Sequence, residues 1–465
     1  MSTKTGLKKE RETLEEAAAR LLSATLAAGA EDAEVCAGFG QRTKIALEKQ
    51  DFHLASTDEG YQLGVRALRG GRQGFASCNT TDPRELKEIA LRAVEIAGFS
   101  PPNPYNEIAA GEGIPAEAPE APWDERLFQA SMQTQKDWTR LMIEEATRDA
   151  RFRVNEGTLG TSAGLSLVVN SKGTRQWERD CNMHWSLMGM AIEGDAITSF
   201  DYFSEISRVF DPTPDRIRAT ARAFADNVIQ GLGAGAAKSY KGLVVFSPRA
   251  VCEILLSTLA YHLNGRVLAE KTGRWQTGDH GKAVLDRRLT VRDLPWLPDR
   301  TGFGRFDREG TPTRNRTLVD KGCLAGWLLD RYSAKALGLA TTGNAAGGAT
   351  APPTVGAHNL VLAAGDEPLA GLLARLGRQR AEFLVVHRYS GQTDPVTGEF
   401  SGVAKGGEWW HGGERRHCVK ETLISGNLFE VLRDGVYGLS RETQVVDSGE
   451  ESPTVVLDGI SVTSG

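Results

Sequence analysis

Paired histidines and carboxylates are how a chain without cofactors builds metal and proton chemistry. The stretch closest to such a pattern here is Ser257-Thr-Leu-Ala-Tyr-His262, inside a helical run from Arg249 to Leu263. A zinc peptidase helix presents two neutral imidazoles on neighbouring turns, with a glutamate beside the first. The imidazoles hold the metal and the carboxylate takes a proton from the bound water. His262 has no histidine at i−4 or i−5. Ser257 stands at i−5 with Thr258 beside it, and neither hydroxyl is a good zinc ligand or a neutral-pH base. Glu253 lies on a different turn and face. For chemistry alone, this helix carries one unpartnered histidine and reads as a packed or surface helix.

Other loaded stretches fall short of a site. Gly231-Leu-Gly-Ala-Gly235-Ala-Ala-Lys238-Ser239 has the look of a phosphate loop, but Ala237 precedes the lysine and the stretch follows a helix instead of leaving a strand. Thr342-Gly-Asn-Ala-Ala-Gly-Gly348 could bring backbone N–H groups close to an anion or peptide, and on spacing it is a glycine loop. His411, His417 and Cys418 are zinc-type ligands without the paired spacing of a zinc site. His387, Ser390 and Asp394 are hydrolase-triad types, yet no serine sits in a nucleophile elbow.

Bulk properties narrow the class. The chain has 465 residues, 40% hydrophobic and 25% charged, with net charge −5. That is an ordinary globular composition, long enough for about three domains. No basic block marks a nucleic-acid footprint. No apolar run has signal-peptide or membrane-spanning length, so the expected compartment is the cytoplasm, with no membrane partner. The six cysteines are scattered singly, unlike a zinc ribbon or a disulfide scaffold.

The elements that would position these residues fall into α+β units followed by a β-rich C-terminal domain. Over 1–100 the pattern predicts a helix from Glu12 to Ala28, alternating strands, a hairpin turn at Gly70-Gly71, and a second helix. Asp82 is its N-cap, Pro83 its first position, and Glu85 completes a capping-box spacing. Residues 101–122 hold six prolines and read as a linker. Residues 123–238 form a central α+β domain: a helix from Asp124 to Ala150, strands joined at Asn170-Ser-Lys-Gly173, and a helix from Pro214 to Gln230. Residues 239–465 open on the apolar strand Leu243–Phe246, capped by Ser247-Pro248 into the helix of His262, and close on the strand Pro453–Val462.

Several of these stretches, in this order, resemble the family of TldD and PmbA (also called TldE). These are the two subunits of a bacterial metallopeptidase formerly described as modulators of DNA gyrase. The resemblance covers Glu31 to Gly465. It rests on Asn170–Gly173, the passage GLVVFSP ending at Pro248, Phe306-Asp307-Arg308-Glu309-Gly310-Thr-Pro312, Thr342–Ala345, Gly398–Ser401, Ser425–Leu428 and Ser452-Pro453. TldD-like members carry H-E-x-x-x-H on the helix after that strand, and a cysteine near the C-terminus as third ligand. In that register Ser257, Thr258 and His262 occupy the first histidine, the glutamate and the last histidine. The last cysteine is Cys418, with none in the tail.

The resemblance therefore implies a PmbA/TldE-like subunit without a zinc site of its own, in a dimer enclosing a protected cavity. Zinc would belong to a TldD-like partner, and the substrate would be an unfolded peptide, bound by strand addition to an exposed edge. Motif position makes Asp307, Glu309 and Asn344 candidates for lining that groove, or else caps of turns. Two alternatives remain open. One is a stand-alone homodimeric hydrolase using His262 with His280 or the His417 cluster. The other is a non-enzymatic regulator, against whose direct DNA contact the acidic balance counts.

Overall fold

A computed structural model describes residues 6–108, 110–209, 213–447 and 449–464. The first half is built on one antiparallel sheet: β1 (Asp32–Glu48), β2 (Asp51–Arg69), β3 (Arg72–Cys78), β4 (Phe152–Asn170), β5 (Arg175–Glu193), β6 (Ala196–Ile197) and β7 (Asp201–Ser207). Its order is β3-β2-β1-β4-β5, with β6 and β7 both on β5. The strands of 1–100 and of 123–238 thus share a single sheet. β1 and β4 join it, with Glu34 opposite Asn170 and Glu48 opposite Glu156.

The expected turns form where their chemistry requires. Gly70 and Gly71 take φ +57° and +71° between β2 and β3, the left-handed pair of a two-residue hairpin. Asn170 Oδ1 accepts the N–H groups of Lys172 and Thr174, which closes the β4–β5 turn. The strands run longer than the sequence pattern predicts. Gly160 sits inside β4 because a Cβ there would lie 2.0 Å from the Thr43 carbonyl oxygen. It marks a close approach of two strands and not a strand end.

Helices cover one face of this sheet in two pairs. Gly6–Ala27 and Pro83–Phe99 bury Leu14, Leu21, Leu86 and Ile89 against Val35, Val65 and Leu167. Met132–Ala146 and Thr213–Gln230 bury Trp138, Met142, Ile217 and Phe224 against Leu159 and Trp185. The helix expected over 124–150 is split into Glu125–Phe128 and Met132–Ala146. Ser131 makes the break by accepting the Thr134 N–H as a new N-cap.

On the opposite face, Cys36 of β1 and Val168 of β4 pack against Phe306 and Ala349 of the second half. That half is organised around a thirteen-stranded mixed sheet. Its strand Tyr240–Phe246 runs parallel to Glu382–Val386 and antiparallel to Glu450–Ser464. Val244 and Phe246 face one core and Leu243 and Val245 another. Burial on both faces explains the unbroken apolar run GLVVF.

The proline-rich stretch is strapped down. Asn103 Nδ2 donates to the Tyr332 hydroxyl at 3.0 Å, and Glu107, Glu117 and Glu120 pair with Lys335, Arg314 and Arg305. Among the described residues no helix is long and apolar enough to cross a membrane.

Candidate functional site

The chain leaves the strand Tyr240–Phe246 through Ser247, whose hydroxyl caps the next helix by accepting the Ala250 N–H. That helix runs from Pro248 to Leu263 with a π-turn over Cys252–Leu256. The Ser257 N–H reaches back to the Cys252 carbonyl, one residue beyond the α-helical partner. From Ser257 onward the helix is α. Residues five apart then lie roughly 140° around the axis. Ser257 is exposed, while Thr258 and His262 are buried at 3% and 1% exposure.

Each of the three side chains is already engaged. Ser257 Oγ donates to the Glu253 carbonyl at 2.9 Å and Thr258 Oγ1 to the Ile254 carbonyl at 2.8 Å. The His262 ring is boxed by Tyr261, Trp275 and Phe429, with centroids 5.2, 5.7 and 4.8 Å away. Its Nδ1 accepts the Arg274 N–H at 2.9 Å. The proton therefore sits on Nε2, which meets the Pro395 carbonyl at 2.5 Å. Burial pushes the ring's pKa below its ordinary value, with Arg274 adding to the effect and the Pro395 bond opposing it. His262 is a neutral core histidine with both nitrogens taken.

A zinc ligand needs a free imidazole lone pair, and the Ser257 and Thr258 hydroxyls are turned onto helix carbonyls. These residues do not fit a zinc ion. Among the described residues no group of three or more His, Cys, Asp or Glu is placed to hold a metal.

The other candidates scatter. His417 sits opposite Trp409 and Cys418 opposite Glu408 in one hairpin, so the two point to opposite faces. His417 Nε2 lies 3.1 Å from the Ala236 carbonyl and His411 pairs with Glu382. His280 meets the Ala325 carbonyl. His387 faces Glu408, and Asp394 accepts the Val396 and Thr397 N–H groups of its own turn. The phosphate-loop look-alike is a short 3₁₀ turn at Gly231–Gly233. Beyond it Gly235 passes so close to His417 that a Cβ would sit 2.7 Å from the ring.

Asp307, Glu309 and Asn344 do come together, but at 4%, 1% and 1% exposure they line no open groove. Their contacts are those of turn caps. Asp307 Oδ1 accepts the Glu309 and Thr311 N–H groups, and Oδ2 accepts that of Ala345. Asn344 Nδ2 donates to Asp293 Oδ2 at 2.7 Å and to the Gly356 carbonyl. Burial, reinforced by Glu309, raises the Asp307 pKa to about 8 against its three N–H bonds.

Around Glu309 lies a set of charges that sequence reasoning missed. Glu34 on β1 and Arg66 on β2 are direct cross-strand partners, 3.1 Å apart. Arg66 also meets Glu309 at 3.0 Å, and Arg308 meets Glu34 at 3.2 Å. All four are buried. Burial works against the Arg66 charge, and Glu34 and Glu309 outweigh it, so its pKa is raised. Burial also raises that of Glu309, while Arg66 opposes. The available signal was Glu34 between Ala33 and Val35, and Arg66 between Val65 and Ala67. A charge alternating with core residues faces away from that core, and here a second layer of the protein lies there in place of water. The cluster clamps the Phe306–Pro312 turn of the second half onto the first sheet.

Known proteins resemble this chain in sequence and fold. Residues 239–464 match the family model described as the PmbA/TldA metallopeptidase C-terminal domain, and residues 33–97 match PmbA/TldA metallopeptidase domain 1. The chain is 27% identical to metalloprotease PmbA of Escherichia coli over 438 residues, 91% of either protein. It is 28% identical to the metalloprotease PmbA homolog of Haemophilus influenzae over 437 residues, 92% of this chain and 91% of that protein. Its fold superposes on TldE from Thermococcus kodakarensis with a TM-score of 0.85 at 21% identity, covering 96% of this chain and 100% of that one. Two matched blocks in their proper order, relatives aligned over nine-tenths of their length and a shared fold lead to one assignment: the chain belongs to the PmbA/TldE family.

Proposed function

We propose that this chain is a PmbA/TldE-like subunit of a heterodimeric, cytoplasmic zinc metallopeptidase that degrades or processes unfolded peptides. It forms part of the cavity wall, and the zinc belongs to a TldD-like partner. The observation that carries this reading is the state of His262. Its Nδ1 accepts a backbone N–H and its Nε2 faces a backbone carbonyl. Ser257 and Thr258 stand where a second ligand and a base would be needed, and both hydroxyls bond helix carbonyls. A helix built this way supports a wall more readily than a catalytic centre.

Co-expression with a companion protein carrying H-E-x-x-x-H tests the proposal. The two should co-purify, zinc should follow the companion, and an unfolded peptide should be cleaved by the pair and not by this chain alone. Stoichiometric zinc and cleavage in the isolated chain would overturn it in favour of a stand-alone hydrolase.

A further inference from the structure

On β5 the residues Trp177, Arg179, Cys181, Met183 and Trp185 share the helix-covered face of the first sheet. Cys181, Met183 and Trp185 are fully buried in the core beneath the helices Met132–Ala146 and Thr213–Gln230. The first two residues of the series are not. Trp177 is half-buried and Arg179 is exposed. They lie in the seam between the two helix pairs, with Leu165 of β4 directly opposite Arg179. Leu165 and Trp177 pack with the core of the first pair, and Trp123 and Phe128 with that of the second.

The seam holds a pocket of about 570 Å³, within the roughly 300–1,000 Å³ of small-molecule sites. The sheet contributes Leu165, Trp177 and Arg179, the helix Gly6–Ala27 contributes Arg11, and Trp123 and Phe128 complete the lining from the start of the second unit. Each indole carries a guanidinium. Arg11 lies 3.7 Å over the Trp177 ring and Arg179 4.8 Å over that of Trp123. The Phe128 ring closes on Trp123, with centroids 5.3 Å apart. The acidic group of the lining, Glu125, is already occupied by the Trp123 indole N–H at 2.8 Å and the Gln129 amide at 2.7 Å. Arg11 pairs with Glu15 at 2.9 Å. Among the described residues the Arg179 guanidinium enters no ion pair. A ring face offsets part of its charge and leaves its fork of N–H donors without an acceptor atom.

We infer that this pocket is a binding site for a small planar aromatic anion. The ring packs among Trp123, Phe128 and Trp177, and its carboxylate or phosphate group takes the N–H fork of Arg179. The lining disfavours simpler ligands. A neutral ring leaves the cation without its anion, and an aliphatic anion leaves the aromatic faces without a partner. The whole chain carries net charge −5, so the positive rim, which also includes Lys8, is a local feature. The site is independent of the proposed peptide handling. It lies on the helix-covered face of the first sheet, opposite the face that packs against the second half.

The test uses the full-length chain and isothermal titration calorimetry. Its probes are naphthoate and naphthyl phosphate as aromatic anions, naphthamide as the neutral ring, and cyclohexanecarboxylate as the aliphatic anion. The tighter of the two aromatic anions identifies the preferred group. It should bind at least about tenfold more tightly than naphthamide, the scale of one charge-assisted hydrogen bond. It should exceed cyclohexanecarboxylate by about fivefold or more. Arg179→Gln, at an exposed position, should bring the aromatic anions down to the affinity of naphthamide, with naphthamide binding and circular dichroism unchanged. Arg179→Lys should recover part of the preference for anions. Trp123→Leu should weaken every aromatic probe several-fold, and the arginine variants decide the matter if it folds poorly. Equal affinity for the anions and naphthamide, no binding of either anion, or wild-type anion affinity in Arg179→Gln would overturn the site. Self-association of the wild type that Arg179→Gln abolishes would also overturn it, by giving the pocket to a second copy.

Discussion

His262 and the Glu34–Arg66–Glu309–Arg308 cluster are both buried polar groups, partnered in opposite ways. His262 sits neutral among three aromatic rings, and two backbone groups complete it. The cluster pairs its acidic and basic groups with one another, across the boundary between the first sheet and the second half. The first has the residue type of catalysis and the geometry of a core. The second came from a turn motif and holds two layers together. Residue type alone ranks them the wrong way round, because function depends on which lone pairs and protons remain free.

The contrast can be broken hardest at Arg66. Arg66→Ala leaves Glu34 and Glu309 buried without their shared partner, at a cost of about 3–5 kcal/mol. Urea unfolding should show the loss, and limited proteolysis should show the 101–122 strap opening. The double variant Ser257→His, Thr258→Glu probes the other side. Its new carboxylate falls at a 3%-exposed position, so roughly 3 kcal/mol or more should be lost. With zinc added, no peptide cleavage is expected. Tight zinc binding with cleavage would show that the helix is closer to a catalytic one than His262 indicates.

His262→Phe should cost about 1–3 kcal/mol at neutral pH, because the Arg274 N–H and the Pro395 carbonyl lose their partner.

The two sites should also respond oppositely to pH. The His262 pKa is lowered on folding. Its stabilisation is therefore complete above the ordinary histidine value near 6.5 and is lost as pH falls. The advantage of the wild type over His262→Phe should shrink in acid. Asp307, beside the cluster, is raised from 3.8 to about 8. Its stabilisation is complete below about pH 4 and is lost as pH rises through about 8. Urea midpoints of Asp307→Asn and wild type between pH 4 and 8 should diverge with the opposite sign. The smallest effect is expected at Ser257→Ala. An exposed hydroxyl bonded to its own helix should change stability by no more than about 0.5 kcal/mol, and a larger loss would reveal a role not visible in its contacts.

The sequence by itself determined the features whose partners are close along the chain. Asp82 and Pro83 start their helix as expected, with Asp82 accepting the Arg84 and Glu85 N–H groups. The reciprocal half of the capping box gives way because Thr80 takes the Asp82 N–H. Gly70-Gly71 and Asn170–Gly173 turn where φ and side-chain acceptors require it. The order of short motifs was enough to reveal the family.

What only the tertiary structure decided involves partners far apart in the chain. β1 finds β4 across more than a hundred residues. Arg308 reaches Glu34 across 274, and His262 finds Pro395 across 133. Local propensity carries no information about such pairs, because loop closure and burial select them after the elements exist.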